Sequence, residues 1–341
     1  MAINCQTNIS KTDENHRSVE FTVSFSEMGK LFEKSIGEFR KQVSMKGFRP
    51  GQVPKQLFVS RFGDEVYHET VDKVVNGDLR EEFEKIVETW KTEEKLEIAA
   101  PAEHGELHSQ RGEDLTYKLS IALNKPLVVQ DYKDLGVKVS PVVVSEEEIN
   151  DVLQDVRKRF AKEGEELDYS AIGAKDEEDL KTKISDDVLA DKQRGARMNA
   201  LKEALDKIIE KNPFPVLEEQ IKYTAERSMR QHSHNHEHEE EEHVHISKEQ
   251  LDTMRPDIIR AIQEERILRA IMEQESLKPT QGQVDARIQK IADSMGMDFA
   301  MVKDTMRKNG QINKIRENLK IELAQCMLIG ESLPEKAQEN A

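Results

Sequence analysis

Apolar residues in this chain follow two periods, and the change from one to the other divides it. From Arg17 to Ser26 they alternate, with Val19, Phe21, Val23 and Phe25 on one side, which predicts a half-buried strand. Ile3 to Ser10 is placed to partner it. Ser26 stands where a helix N-cap belongs, and Met28, Leu31, Phe32, Phe39 and Val43 follow at helical spacing. Pro54 suits the first turn of a second helix, which carries Leu57, Phe58 and Val59 and stops at Gly63. A third helix is expected from Asp64 to Thr89. Asp114 to Asn124 alternates again, so Leu115, Tyr117, Leu119, Ile121 and Leu123 return to the sheet. The pattern predicts an α+β N-terminal domain over residues 1–124. It has a small antiparallel sheet, helices packed on it and a projecting helix-loop-helix.

Residues 125–167 read as an extended connector and one helix. Pro126, Pro141 and the run Val142-Val143-Val144 favour an extended chain lying on other structure, and Ser145 with Glu148 forms a capping box. The helical period then governs residues 168–341. Helices are expected over Asp176–Lys211, from Val216, over Ser247–Glu275, after the Thr280 cap, from Asp298 to Gly310, and over Gln311–Ile329. Short breaks between amphipathic helices imply antiparallel neighbours. The C-terminal domain is therefore predominantly α-helical, and the whole reads as an elongated multidomain protein.

Composition narrows the partners. The formal charge is −16, with 35% charged and 36% apolar residues. This argues against a general nucleic-acid binder, whose affinity rests on many cationic contacts. Cys5 and Cys326 lie far apart without metal-ligand spacing and read as free thiols. The N-terminus has no basic region followed by an apolar run, and no stretch reaches the length of a membrane span. The expected location is the cytoplasm, with no membrane partner. No run matches a P-loop, so nucleotide-driven action is not expected.

Against that acidic background, residues 39–63 hold Arg40, Lys41, Lys46, Arg49, Lys55 and Arg61 and no carboxylate. At their centre lies Gly47-Phe48-Arg49-Pro50-Gly51-Gln52-Val53-Pro54. Its glycines and prolines cannot continue a helix, so Phe48 and Arg49 sit at the apex of a tight connection. An aromatic knob beside a planar cation suits docking onto phosphate or carboxylate. The Gly-Phe-Arg-x-Gly-x-x-Pro pattern, followed by Arg61-Phe62-Gly63, resembles the ribosome-docking signature of the trigger factor family of bacterial nascent-chain chaperones. The resemblance implies docking beside the ribosomal tunnel exit, on a large-subunit protein and rRNA. Gly47, Phe48, Arg49, Gly51 and Pro54 match the pattern, with Arg40 and Lys46 flanking it. The position after the arginine, often basic in the family, is Pro50 here.

The resemblance also implies a helical chaperone body with two arms around a cradle for unfolded or nascent polypeptides, and a homodimer when free. Family members carry an FK506-binding-type prolyl isomerase domain after the connector helix. Here Ala161 to Leu167 is a short charged link, too short for an apolar substrate pocket. The expectation is a holding chaperone that is not an enzyme and needs no cofactor.

Two segments invite further readings. Nine of the twelve methionines lie between Met198 and Met327; most are expected to fill the core. Met295, Met297 and Met301 crowd a loop and a helix start, and are the candidates for client contact, since thioethers adapt to irregular partners. His232, His234, His236, His238, His243 and His245 stand among glutamates and could bind Zn²⁺ or Ni²⁺. Their low-complexity setting equally fits a solvated arm tip over residues 231–245. The alternatives are a SurA-like holdase free of ribosomes, a metal-handling protein centred on these histidines, and a dedicated RNA-binding module.

Overall fold

The computed structural model describes residues 3–49, 51–160, 169, 173–233 and 246–331, with the side chains of residues 231–233 outside that description. The chain forms two compact units, each discontinuous in sequence. One comprises residues 1–126 and 215–262, the other residues 127–214 and 263–341.

In the first unit, β1 (Cys5–Lys11) pairs antiparallel with β2 (His16–Val23). The second strand also pairs antiparallel with β5 (Leu115–Asn124), from Val23↔Leu115 to His16↔Ala122. The far edge of β5 is shared by β3 (Glu97–Ile98) and β4 (Glu103–His108). Alternation fixes which face is buried. Val19, Phe21 and Val23 of β2, and Leu115, Tyr117, Leu119, Ile121 and Leu123 of β5, all lie inside. They pack against α1 (Phe25–Gln42), α2 (Lys55–Lys73) and α3 (Arg80–Glu93) through Met28, Phe32, Ile36, Phe58, Val66, Val71, Phe83, Val87 and Trp90.

Three local expectations differ from the structure. Phe25 does not continue the β2 face. It opens α1, whose N-cap is Ser24 with its side chain accepting from the Glu27 N–H, and it is 55% exposed. Gly63 does not stop α2. It is buried inside the helix, where a Cβ would meet both Val59 Cγ1 and Arg111 Nη1 at 3.2 Å. The missing side chain there serves close approach, not termination. The expected helix from Asp64 to Thr89 is interrupted by a π-helical turn at Val74–Leu79, around Asn76-Gly77.

Residues 215–262 join this unit through α6 (Glu218–Ser233) and the first part of α7 (Lys248–Gln274). Ile221 and Ala225 pack against Ile258 and Ile262. Next to the β-sheet, Asn124 Nδ2 donates to Gln220 Oε1 at 3.2 Å. His16 Nδ1 bonds Asp13 at 2.8 Å, while its Nε2 lies 3.3 Å from Glu219 Oε2 as an ion-pair contact without directed hydrogen-bond geometry.

In the second unit, the extended run from Leu127 to Val144 is clipped by side chains rather than by a sheet. Gln274 exchanges two hydrogen bonds with the Val129 backbone, and Asn212 does the same with Gln130. Glu275 accepts from Tyr132 at 2.5 Å and pairs with Lys133. Val129 and Val137 thereby enter a core with α5 (Glu177–Lys211), the end of α7 and the end of α10 (Gln311–Leu328). The capping box at α4 (Glu146–Phe160) forms as expected. There, Lys192 and the Ser145 backbone N–H hold the Glu148 carboxyl down to about 2. A separate small core joins α8 (Gln281–Met295), α9 (Phe299–Lys308) and α10 through Val284, Ile288, Ala292, Val302, Ile315 and Leu319.

The His16 cluster makes the stability of the first unit pH-dependent. Burial disfavours the imidazolium, but hydrogen bonding to Asp13 and the contact with Glu219 outweigh it, so the pKa lies above the ordinary 6.5. A raised folded-state pKa gives a contribution fully present below about pH 6.5 and lost as pH rises through the folded value. The difference in urea unfolding free energy between the wild type and His16→Gln should fall above that pH. A pH-independent difference would count against the cluster.

Candidate functional site

The loop between α1 and α2 is closed from within. The Val43 N–H donates to Phe39 O at 2.9 Å and ends α1. Met45 and Phe48 then form an isolated antiparallel bridge, with the Phe48 N–H donating to Met45 O at 2.9 Å. The Gln52 N–H donates to Arg49 O at 3.0 Å, and the Gly51 N–H donates to Arg40 O at 2.7 Å. Gly47 and Gly51 have φ of 91° and 82°, the left-handed region where a Cβ is strained. Met45 and Val53 turn inward and are buried, anchoring both feet of the loop in the core.

Arg40 is the brace. Its Nε and Nη2 both donate to the Val53 carbonyl, at 3.0 and 2.6 Å, while its own carbonyl receives the Gly51 N–H. One residue thus ties the last turn of α1 to the far foot of the loop. The other cations divide. Lys55 pairs with Glu33, and Arg61 lies over the Phe62 ring at 5.8 Å. Lys41, Lys46 and Arg49 are exposed and have no ion-pair partner among the described residues. Phe48 is 37% exposed at the apex. Pro54 precedes α2 as its N-cap, without a side-chain cap bond, and Pro50 lies outside the described residues.

The folded loop therefore brings together Phe48, Arg49 and Lys46 as a presented surface and turns the Arg40 guanidinium inward. Of the apolar residues that open α2, Leu57 is 44% exposed, while Phe58 is fully buried. Three consecutive apolar residues carry no mark separating surface from core. Only the rotation of α2 about its axis decides it.

Of the client-contact candidates, Met295, Met297 and Met301 are 61%, 43% and 61% exposed. Met254, Met272, Met306 and Met327 are packed against cores. Among the metal candidates, His232 falls in the last turn of α6 with its side chain outside the described set. His234, His236, His238, His243 and His245 lie outside the described residues. No described helix is long and apolar enough to cross a membrane.

Comparison with known proteins agrees with this architecture along most of its length. Residues 5–156 match the family model described as bacterial trigger factor protein, and residues 177–329 match the model of its C-terminus. The chain belongs to the trigger factor family. Only residues 157–176 separate the two matched parts. The trigger factor of Mycobacterium leprae is 28% identical over 142 residues, which cover 42% of this chain and 29% of that protein. The trigger factor of Geotalea uraniireducens is 26% identical over 157 residues, covering 45% and 34%. The chain thus matches about a third of the length of these curated relatives. A solved structure, described as showing promiscuous substrate recognition in folding and assembly activities of the trigger factor chaperone, aligns with a TM-score of 0.56. It is 13% identical and covers 95% of this chain and 99% of that one. At that identity the likeness concerns the fold: a small antiparallel sheet with helices, then a mostly helical remainder.

The loop glycines of this family member give a stability test. A Cβ at Gly47 or Gly51 meets open space, so Gly47→Ala and Gly51→Ala should each lose about 1 kcal/mol from backbone strain alone. Gly37→Ala, inside α1 with equal room, should instead gain about 0.5–1 kcal/mol. Urea unfolding midpoints check both signs.

Proposed function

We propose that the chain is an ATP-independent chaperone that docks at the ribosomal tunnel exit through Gly47–Pro54 and holds apolar segments of nascent chains. The observation that carries this reading is the braced loop presenting Phe48 beside Arg49 and Lys46. A stiff apex loses little conformational entropy on binding. A guanidinium without an internal partner is free to grip rRNA phosphate or a carboxylate of a ribosomal protein. Gly47, Gly51 and Pro54 shape the apex. Arg40 supports it from beneath, and any contact it makes with the ribosome is secondary to that.

The holding surface in this reading belongs to the helical part of residues 168–341. There Met295, Met297 and Met301 offer adaptable apolar contact. Weak, reversible contact with exposed patches suits clients that must be released without nucleotide hydrolysis. The strong net negative charge keeps such complexes soluble and confines attraction for RNA to the basic loop. The short span between the two matched segments supports a family member without the inserted isomerase domain, acting by docking and holding in the cytoplasm.

Replacing Phe48-Arg49-Pro50 by three alanines should abolish cosedimentation with ribosomes, while far-UV circular dichroism and the unfolding midpoint stay near wild type. Unchanged cosedimentation would falsify the docking assignment.

A further inference from the structure

Met295, Met297 and Met301 fall within seven residues, at the corner joining α8 to α9. The backbone of that corner is fixed without them. Gly296 takes φ 62° as the left-handed cap of α8, and the Met297 N–H donates to Ala292 O at 3.0 Å. The Asp298 carboxylate accepts from the Ala300 and Met301 N–H groups at 2.9 and 3.2 Å and opens α9. Beneath it lie Ile288, Ala292 and Val302, with Met306 packed against the same core. The three thioethers are thus open to solvent on a scaffold held by backbone and core contacts.

We propose that this corner is an oxidation-controlled client surface, on which Met295, Met297 and Met301 become sulfoxides and switch off apolar contact while the fold persists. The proposal rests on the client-contact reading above. In the chemical step, a thioether sulfur lone pair attacks an oxygen of a peroxide. The S–O bond forms as the O–O bond breaks, and the departing hydroxide takes the transferred proton and leaves as water. The sulfur is oxidised by two electrons and the peroxide is reduced. With a hypohalous acid, the O–Cl bond breaks instead, and chloride and a proton leave. A dithiol reductant reverses the change, removing the oxygen as water while it becomes a disulfide.

The effect on binding follows from polarity. A sulfoxide is a chiral, strongly hydrogen-bonding group where an adaptable apolar one stood. One such change on a broad surface is minor, but three within one corner replace all of its exposed thioethers. Met306, half-buried against the small core, is less open than the corner, so the oxidant dose that alters the corner leaves the core intact. Met198 is 65% exposed but stands alone on α5, which makes it the internal control.

The experiment treats the full-length chain with graded hydrogen peroxide or hypochlorite. It maps oxidised methionines by peptide mass, and measures suppression of aggregation of a denatured client together with circular dichroism. Met295, Met297 and Met301 should gain oxygen before Met306. Apparent client affinity should fall about tenfold or more, the spectrum should be unchanged, and methionine sulfoxide reductases should restore holding. The triple variant M295L/M297L/M301L, compared with its own untreated baseline, should lose none of its holding with oxidant. Met198→Leu should remain as sensitive as wild type. Oxidation of Met306 together with the corner, loss of the folded spectrum, or equal sensitivity of the leucine variant would each overturn the proposal. The unoxidised variant M295Q/M297Q/M301Q separates the two readings. Full holding in that variant removes the client-contact reading itself. Lost holding there, with an oxidant-insensitive wild type, removes only the switch.

Discussion

The antiparallel pairing of β2 with β5 joins residues some ninety positions apart, with Val23 opposite Leu115. The chain between them leaves the sheet at Ser24, returns as β3 and β4 along the far edge of β5, and closes at Leu115. A sheet with one apolar face has a single place to put that excursion, which is on top of the face. The helices α1, α2 and α3 therefore cover Val19, Phe21, Leu115, Tyr117 and Leu119. The connection between the first two helices is left at the surface. The presented loop is a consequence of how the sheet closes.

Within that loop, rigidity comes from polar groups on the backbone and from two apolar feet. Arg40 satisfies the Val53 carbonyl while its own carbonyl takes the Gly51 N–H, so both strands of the turn are tied to one residue. A charged donor on a backbone carbonyl is among the stronger protein hydrogen bonds. It also removes one cation from the basic patch. Lys55 is removed by Glu33 and Arg61 lies on Phe62. The cations left for a partner, Lys41, Lys46 and Arg49, are those whose side chains the fold does not use.

The helical remainder is held by several small cores rather than one large one. With apolar residues at 36% of the chain, this division leaves helix corners such as Met295–Met301 uncovered. The same shortage explains the connector from Leu127 to Val144, which lacks strand partners and is held by Gln274, Asn212 and Glu275. At Val129 and Gln130 side-chain amides take the backbone N–H and C=O as a neighbouring strand would.

Much of this was legible in the residues. Alternation at Val19-Phe21-Val23 and Leu115–Leu123 placed the two central strands. The capping box at Ser145, the Thr280 cap and the helix start at Asp298 were placed, because each is a local pattern written in neighbouring residues. The Gly-Phe-Arg-x-Gly-x-x-Pro run marked the candidate site, because left-handed glycines and a helix-breaking proline act on their own backbone. What the sequence alone could not reach was decided by contacts between distant residues. Gly63, inside α2, leaves room for the close approach of Arg111. The Phe25 N–H, which leaves the β2 ladder, donates to Asp114 Oδ1 at 2.6 Å beside the start of β5. Residues 215–262 join the N-terminal sheet through His16 and Asn124. Arg40, read from sequence as one more docking cation, is turned inward by a carbonyl thirteen residues away. Local patterns specify where backbone conformation changes; which charges remain free for a partner depends on neighbours that only the folded chain supplies.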